Sequence, residues 1–508
     1  MDHRTAIIDI GSNSARLVIY EKTSHYGFHL ICEQKTKVRI GEGAYQRGGY
    51  LQPNGIKRAF LALQSFQETI QKYKTSKTIC VATSALRDAP NGKSFVSWVK
   101  KELKLEIQII DGKKEAKYGA IAVKNLLPVS EGITIDIGGG SADLALIKKG
   151  KIVDTYSLNL GTVRLKELFF DQGKPLEEAI AYIHSALETL PKHFRHHRAI
   201  GIGGTARTLS KSIMKSTGYP LDKLHAYRYD VAPQHAYFEE IYRSSAKGLK
   251  RFPLKRNRFD TVREGTLIFD ELLKYMGSEE VVTSSVGVRE GIFLSSSLNK
   301  RTHTFPEGKN PSVESILSRF KPMVNIEKNK KAKLQIALAL YDAFLDKTAL
   351  NQTYRHALLH ALKLSSIGKT LTVYRSHKHA FYIAMQELNY GFTHEEMALI
   401  AMLLRTDADG TLPKILLKTY RSLLPEKDIL VWLSFFYKLT ILLHEASNNA
   451  KIEFAYENQV LVIYSDKSLY LAKENIRALK KPIPFAIIIA DKNGLPKNKN
   501  LGIVVSSK

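Results

Sequence analysis

The chain has 508 residues, of which 44% are hydrophobic, and its formal net charge is +27. A chain of this length can bury a large core without covalent staples, and two cysteines are too few for a disulfide framework. Neither a signal peptide nor a run of the ~18 apolar residues needed for a membrane span is visible. We therefore expect a cytoplasmic globular protein whose positive charge serves a polyanionic partner. Nucleic acid, an anionic membrane surface and polyphosphate all meet that description, and charge alone does not choose among them.

The first part of the chain alternates between strand and helix patterns. The predicted strands cover residues 5–10, 16–21, 28–36, 78–83 and 106–110. The predicted helices cover residues 56–70, 95–103 and 115–127. Such alternation is typical of an α/β domain.

The strand pattern then restarts at residue 132, with predicted strands at 132–137, 143–148 and 152–158. The glycine turn after each opening strand is repeated as well: residues 9–15 read DIGSNSA and residues 136–142 read DIGGGSA. An internal repeat of a whole domain governs every other inference about a chain. We predict two such domains facing a cleft, with a phosphate-binding turn on each wall.

The remaining sequence changes character after about residue 300. The pattern is helical to about residue 447, and a strand hairpin about residues 457–459, a helix and a further strand follow. The predicted domains therefore cover residues 1–125, 126–300, 301–447 and 448–508.

The repeated turns carry the chemistry of an anion site. Backbone N–H groups in such a turn form a concavity that binds anions, and a carboxylate at the strand end can hold a magnesium ion. Asp9 and Asp136 occupy that place, and Asp143 on the following strand adds a third carboxylate. A third glycine-rich turn, residues 201–207 (GIGGTAR), predicts a further phosphate contact.

These motifs resemble the exopolyphosphatase/guanosine pentaphosphate phosphohydrolase family of the actin-like ATPase superfamily. The resemblance runs over about residues 5–300 and rests on DIGSNSAR (9–16), ATSALRDA (82–89), DIGGGS (136–141), GTVR (161–164), GIGGTAR (201–207), RFD (258–260) with Gly265, and REG (289–291). It implies two ribonuclease H-like (actin-like) domains, Mg²⁺ or another divalent cation as cofactor, and a homodimer.

The family also implies a general base in a motif with two adjacent glutamates. The corresponding stretch here reads DGKKEAK (111–117), so that only Glu115 remains of the pair. A carboxylate beside a bound terminal phosphate can orient and deprotonate an attacking water. Glu115 and Arg87 are the expected catalytic residues, and Asp9, Asp136 and Asp143 the expected metal ligands. The expected phosphate-binding residues are Gly11, Ser12, Asn13, Ser14, Arg16, Thr83, Ser84, Gly138, Gly139, Gly140, Ser141, Arg164, Gly203, Gly204, Thr205, Arg207 and Arg289.

The helical region resembles more weakly the HD-type domain of long family members. A metal-dependent HD site needs an adjacent His-Asp pair, and Ser365-Ser366 stands at that place. We therefore predict an HD-like scaffold or substrate channel without a second active site.

The favoured function is an exopolyphosphatase that removes the terminal phosphate of inorganic polyphosphate. The first alternative is the sister activity on guanosine pentaphosphate, which uses the same site. A kinase or ATPase on the same fold and a non-enzymatic sensor of alarmone or polyphosphate are the others. The chain length and the charge of +27 favour a long polyanion.

Overall fold

The computed structural model describes residues 3–299, 301–321, 330–447, 449–491 and 503–506. Its chain divides into two compact units, residues 1–311 and residues 312–508. The repeated turns all lie in the first unit.

A five-stranded sheet forms the first lobe of unit 1, in the order β3-β2-β1-β4-β5. Its strands are Arg4–Ile10 (β1), Ala15–Lys22 (β2), Phe28–Thr36 (β3), Lys77–Ala82 (β4) and Ile107–Ile109 (β5). Three helices belong to the same part of the chain: Pro53–Lys72 (α1), Ser84–Asp88 (α2) and Gly92–Leu103 (α3). The apolar faces of these elements form one buried core, in which Leu17, Leu63 and Val99 are fully enclosed.

A six-stranded sheet forms the second lobe of unit 1, in the order β10-β11-β9-β6-β7-β8. Its strands are Gly132–Ile137 (β6), Ala142–Lys148 (β7), Lys151–Leu158 (β8), Arg198–Ile202 (β9), Arg228–Asp230 (β10) and Glu280–Thr283 (β11). The helices between residues 112 and 297 are Gly112–Leu126 (α4), Thr162–Leu165 (α5), Leu176–Glu188 (α6), Gly203–Ser216 (α7), His235–Arg243 (α8), Val262–Met276 (α9) and Val288–Ser297 (α10).

The two lobes repeat the same strand arrangement. β1 pairs antiparallel with β2 and parallel with β4, and β6 pairs antiparallel with β7 and parallel with β9. The same hydrogen bond closes each glycine turn: Gly11 N–H donates to the Ser14 carbonyl at 3.1 Å, and Gly138 N–H donates to the Ser141 carbonyl at 2.8 Å. The predicted duplication is therefore confirmed.

Helix α4 connects the lobes. The sequence assigned it to the first domain, but its Ala116, Ala120 and Val123 pack into a core with Ile200 and Ile202 of the second sheet. Helix α10 crosses it so closely that a Cβ on Gly291 would lie 1.9 Å from the Tyr118 carbonyl oxygen. This packing fixes the first turn of α4, which carries Glu115, between the sheets.

The described residues of unit 2 are mainly helical up to residue 446, and a small sheet follows. The helices are Pro311–Arg319 (α11, which begins at the boundary), Lys330–Phe344 (α12), Gln352–Leu364 (α13), Ser376–Glu387 (α14), His394–Leu404 (α15), Lys414–Thr419 (α16), Lys427–Ala446 (α17) and Tyr470–Arg477 (α18). The strands Ile452–Glu457 (β12), Val460–Ser465 (β13), Ala486–Asp491 (β14) and Ile503–Ser506 (β15) form a sheet in sequential order. β12 pairs antiparallel with β13, which confirms the predicted hairpin.

Ser365, which stands at the position expected for the HD metal pair, contacts a buried lysine. Lys333, which is 1% exposed, donates to Ser365 Oγ at 2.9 Å. His360 lies edge-on to Phe392, and burial lowers its pKa to about 4. Within the described residues, no group of three or more His, Cys, Asp or Glu side chains could hold a metal ion. The HD-like character of this unit stays a prediction.

One helix among the described residues, α17, is long and apolar enough to cross a membrane by length and composition alone. Of its most apolar window, 67% is buried inside the protein. Core helices of soluble proteins have the same properties, and Phe435, Phe436 and Leu439 of α17 are fully buried.

Candidate active site

A cleft between the two lobes of unit 1 collects most of the predicted site residues. The predicted residues that line it are Asp9, Gly11, Ser12, Asn13, Ser14, Arg16, Thr83, Ser84, Glu115, Asp136, Gly138, Gly139, Ser141, Gly203, Gly204, Thr205, Arg207 and Arg289. Their convergence from three glycine turns makes this cleft the candidate active site.

The two repeated turns meet across the cleft. A Cβ on Gly139 would lie 2.6 Å from Ser12 Cβ, so only glycine lets the second turn approach the first. Ser12 Oγ lies 3.1 Å from Ser84 Oγ in a buried contact. The backbone amides of two such turns form an anion-binding concavity.

The third glycine turn begins helix α7. Gly203 has φ +79°, which favours glycine, and a Cβ there would lie 2.2 Å from Asp136 Oδ1. Asp136 therefore sits against the N-terminal turn of α7, where the helix dipole favours negative charge. Gly204 contacts the Arg258 guanidinium, since a Cβ on it would lie 2.9 Å from an Arg258 terminal nitrogen.

Six cationic side chains line the cleft, and they are Arg16, Lys35, Lys37, Arg207, Arg258 and Arg289. One carboxylate, that of Glu33, pairs with two of them, at 3.5 Å from Arg16 and 3.2 Å from Arg289. Partial burial and the four neighbouring arginines lower the pKa of Lys35 to about 7. Positive charge crowded to this degree indicates a site for a multiply charged anion.

Glu115 lies in the first turn of α4, behind the N-cap Asp111. Its Oε2 atom is buried and accepts no hydrogen bond from the described residues. Burial raises the pKa of Glu115 well above its ordinary value, and the charges of Asp143 and Asp136 raise it further. A carboxylate with a raised pKa and a free acceptor atom has the properties of a general base.

The three predicted metal ligands differ in accessibility. Asp9 and Asp136 line the cleft, whereas Asp143, which is 2% exposed, accepts from Ser141 Oγ at 3.0 Å and Ser157 Oγ at 2.5 Å. Burial raises the pKa of Asp136 to about 6 and that of Asp143 to about 7. Asp143 is therefore a buried carboxyl that two serine hydroxyls hold on strand β7.

The donor set fits a hydrated magnesium ion better than an all-protein metal cage. Carboxylate oxygens are the ligands Mg²⁺ prefers, and it commonly keeps several waters and uses one or two carboxylates together with substrate phosphates. Asp9 and Asp136 offer such oxygens to the cleft. Burial raises the pKa of both carboxyls, the charge of Glu290 adds to it at Asp9 and the charge of Asp9 adds to it at Asp136, and a bound cation would oppose these effects. Among the residues that the structure describes, no three His, Cys, Asp or Glu side chains are grouped closely enough to hold a metal ion by themselves.

Four predicted residues do not line the cleft: Arg87, Gly140, Asp143 and Arg164. Arg87 instead supports Glu115, with its terminal nitrogen 3.7 Å from Glu115 Oε2. Arg164 donates to the Gly140 carbonyl at 3.0 Å and lies over the Tyr45 ring at 4.5 Å. Arg164 thus contacts the second glycine turn and Arg87 contacts the predicted base, and their predicted roles in phosphate binding and catalysis stay predictions.

Ion pairs and hydrogen bonds hold the lobes together around the cleft. Lys37 and Arg39 of the first lobe pair with Asp260 of the second, at 3.0 and 3.4 Å. The buried carboxylate of Glu167 accepts from the N–H groups of Gly43 at 2.7 Å and Tyr45 at 3.3 Å. These contacts bridge the two lobes beside the cleft.

Several cleft residues were absent from the predicted set: Lys35, Lys37, Thr162, Asn257, Arg258, Asp260, Thr261, Gly287 and Val288. Arg258, Asp260 and Thr162 stood inside motifs that carried the family resemblance, so a signal for them existed. Lys35 and Lys37 had none, and the position of Lys35 depends on how β3 pairs with β2.

The chain is similar to several known phosphatases. A bifunctional 3-dehydroquinate synthase/phosphatase of Fusobacterium nucleatum is 29% identical over 316 residues, which are 58% of this chain and 47% of that protein. Exopolyphosphatase 2 of Mycobacterium tuberculosis is 25% identical over 58% of this chain and 98% of its own. A guanosine-5'-triphosphate,3'-diphosphate pyrophosphatase of Aeromonas hydrophila is 24% identical over 80% of each chain.

The fold has a solved counterpart as well. The crystal structure of the Aquifex aeolicus member of the Ppx/GppA protein family matches with a TM-score of 0.50 and 29% identity, over 59% of this chain and 98% of that one. The predicted fold class, with paired actin-like domains, is confirmed. A model of the Ppx/GppA phosphatase family matches residues 18–300. The chain belongs to the Ppx/GppA phosphatase family.

Proposed function

We propose that the chain is an exopolyphosphatase that hydrolyses the terminal anhydride bond of inorganic polyphosphate. The observation that carries the proposal is the Glu115 carboxylate. Glu115 lines the same cleft as the glycine turns, and its buried Oε2 accepts no hydrogen bond within the described residues. The six cations that line the cleft support a substrate of high negative charge.

In this mechanism backbone amides of the two glycine turns, other than the turn-closing N–H groups of Gly11 and Gly138, hold the oxygens of the terminal phosphate. Glu115 orients a water molecule and accepts its proton as the oxygen attacks phosphorus. The P–O bond to the shortened chain breaks, and that chain leaves as an anion. Arg16, Arg207 and Arg289 stabilise the charge on the transferred group and the leaving chain.

Mg²⁺ belongs to the proposal, with Asp9 and Asp136 as the residues that would hold it. Bound there, it would neutralise negative charge on the phosphate oxygens. Asp143 does not line the cleft but lies opposite Asp136 in the pairing of β6 with β7.

A second candidate, hydrolysis of guanosine pentaphosphate, has its own support. The match to the Aeromonas pyrophosphatase extends over 420 residues and so includes much of unit 2. The match to the mycobacterial exopolyphosphatase covers 58% of the chain. The terminal 5′ anhydride of the nucleotide presents the same phosphorus centre to Glu115.

Side-by-side assays of phosphate release decide between these candidates. We expect kcat/KM for long polyphosphate to exceed that for guanosine pentaphosphate, and KM for long chains to rise more steeply with salt than KM for tripolyphosphate. A preference for the nucleotide would assign the second candidate. Absence of release from either substrate, with binding intact, would indicate a sensor.

A further inference from the structure

A second cavity in the second lobe of unit 1 begins where the catalytic cleft ends. Arg207 and Arg258 line both cavities, so the two cavities adjoin at these residues. The second cavity, here named the α7 groove, is also lined by Lys211, Lys215 and Lys255. Its remaining lining residues are Thr208, Leu224, Pro253 and Leu254. Five cations and no carboxylate therefore face this groove.

Helical spacing aligns three of these cations. Arg207, Lys211 and Lys215 are four residues apart on α7, so they lie on one face of the helix. At 1.5 Å per residue this row is about 12 Å long. It starts inside the cleft and ends at the C-terminal turn of α7, so the row continues the cleft as a track of positive charge.

The existing contacts of these cations leave them able to bind an anion. Lys211 pairs with Asp222 at 2.9 Å, and Asp222 is 84% exposed, so that pair contributes little stability and is easily exchanged. Arg207 donates to the Ser285 carbonyl, a neutral group. Lys215 and Lys255 are exposed at their ends of the groove.

We propose that the α7 groove is a distal phosphate-binding subsite, which takes the phosphoanhydride groups that extend beyond the catalytic cleft. The inference rests on the proposed function and adds where the remainder of the substrate lies. The shared chemistry is a chain of phosphate groups, which a long inorganic polyphosphate supplies and the 3′-diphosphate of guanosine pentaphosphate also supplies.

The test is equilibrium binding to the full chain carrying Glu115→Gln, which prevents turnover. Its ligands are long polyphosphate, tripolyphosphate and guanosine pentaphosphate. The groove variant adds Lys211→Glu and Lys215→Glu. The matched control adds Lys72→Glu and Lys101→Glu, which change the net charge equally and lie near the C-terminal ends of α1 and α3 on the first lobe.

We expect the groove variant to weaken long polyphosphate about tenfold more than it weakens tripolyphosphate, and the control to weaken both alike. Selective loss of guanosine pentaphosphate instead would assign the groove to the nucleotide's second phosphate group. Equal effects of the groove and control pairs on all three ligands would overturn the proposal. If the Lys→Glu pair lowers the folding temperature, Lys211→Ala with Lys215→Ala gives the same comparison.

The experiments can contradict the exopolyphosphatase proposal and the subsite proposal independently of each other. Hydrolysis of polyphosphate by the unmodified protein, together with equal binding losses, would retain the exopolyphosphatase and remove the subsite. Binding of long chains that depends on Lys211 and Lys215, without any hydrolysis, would retain the subsite and remove the enzymatic proposal.

Discussion

The guanidinium of Arg87 lies 3.7 Å from Glu115 Oε2, which brings the second family motif against the predicted base. Arg87 is itself fixed by a hydrogen bond to the Ile110 carbonyl at 3.2 Å. Glu115→Gln keeps the size of the side chain but removes the proton acceptor, so we expect turnover to fall by about 10²–10⁴. Substrate affinity in binding assays should change little. A variant with near-normal kcat would assign the base elsewhere.

Arg87→Met should move the acid limb of the pH profile. The base acts only when ionised, and the charge of Arg87 lowers the pKa of Glu115 against burial and its carboxylate neighbours. Without that charge the pKa rises further, so the acid limb of kcat/KM shifts to higher pH. Arg87→Lys keeps the charge and should shift it less. A lower rate with an unmoved limb would mean that Arg87 acts on phosphate and not through Glu115.

Much of the fold follows from local patterns, because buried strands and glycine turns are continuous in sequence. The hairpins β1–β2 and β6–β7 and their turns agree with the predicted strands. The packing of α4 on the second sheet could not be predicted, because its small residues, Ala116 and Ala120, suit either sheet equally well. The assignment of α4 to the second lobe follows only from its three-dimensional packing, which includes its crossing with α10.

The position of Lys35 among the cations of the cleft depends on the register of β3 against β2. In the antiparallel pairing of β2 with β3, Arg16 lies opposite Lys35. A bulge between Ile19 and Tyr20 shifts the register of this pairing. Continuing the pairing of Tyr20 with Leu30 without that bulge would place Gln34 opposite Arg16. A one-residue shift moves every side chain to the other face of a sheet. Sequence alone therefore gave no reason to place Lys35 in the cleft.

Asp143 should make stability depend on pH. Its pKa in the folded protein is about 7, above the ordinary 3.8, so the folded state binds the proton more tightly than the unfolded state. The contribution of this group is therefore favourable at acid pH and is lost as pH rises from about 4 to about 7. Asp143→Asn should show a smaller fall in Tm between about pH 5 and pH 8. An equal or larger fall in the variant would contradict this assignment.

Magnesium binding should be visible without turnover. A cation near Asp9 and Asp136 offsets the burial and repulsion that raise their pKa values, so Mg²⁺ should raise the Tm of the protein at about pH 8. Asp136→Asn should reduce that rise, and excess chelator should abolish phosphate release by the unmodified protein. Full activity in chelator would remove magnesium from the mechanism.

Lys35 should take up a proton when a polyanion binds. Partial burial and the charges of Arg16, Arg258, Arg207 and Arg289 lower its pKa to about 7, so near neutral pH a fraction of this amine is uncharged in the free protein. Phosphate charge in the cleft opposes those arginines and raises the pKa again. Uptake should grow as pH rises from about 6 to about 8, because more of the free protein then has a neutral lysine.

Calorimetric titration with tripolyphosphate in buffers of different ionisation enthalpy measures this proton, with Glu115→Gln present to prevent turnover. Lys35→Met and Lys35→Arg are the matched variants: both remove the titrating amine, and only arginine keeps the charge. Subtracting the proton uptake of either variant from that of the protein with Lys35 cancels the protons exchanged by the ligand and by the carboxylates. We expect the difference to approach about one proton at pH 8, with affinity lowered in Lys35→Met and retained in Lys35→Arg. Equal proton uptake in all three proteins would mean that Lys35 is already charged before the anion arrives.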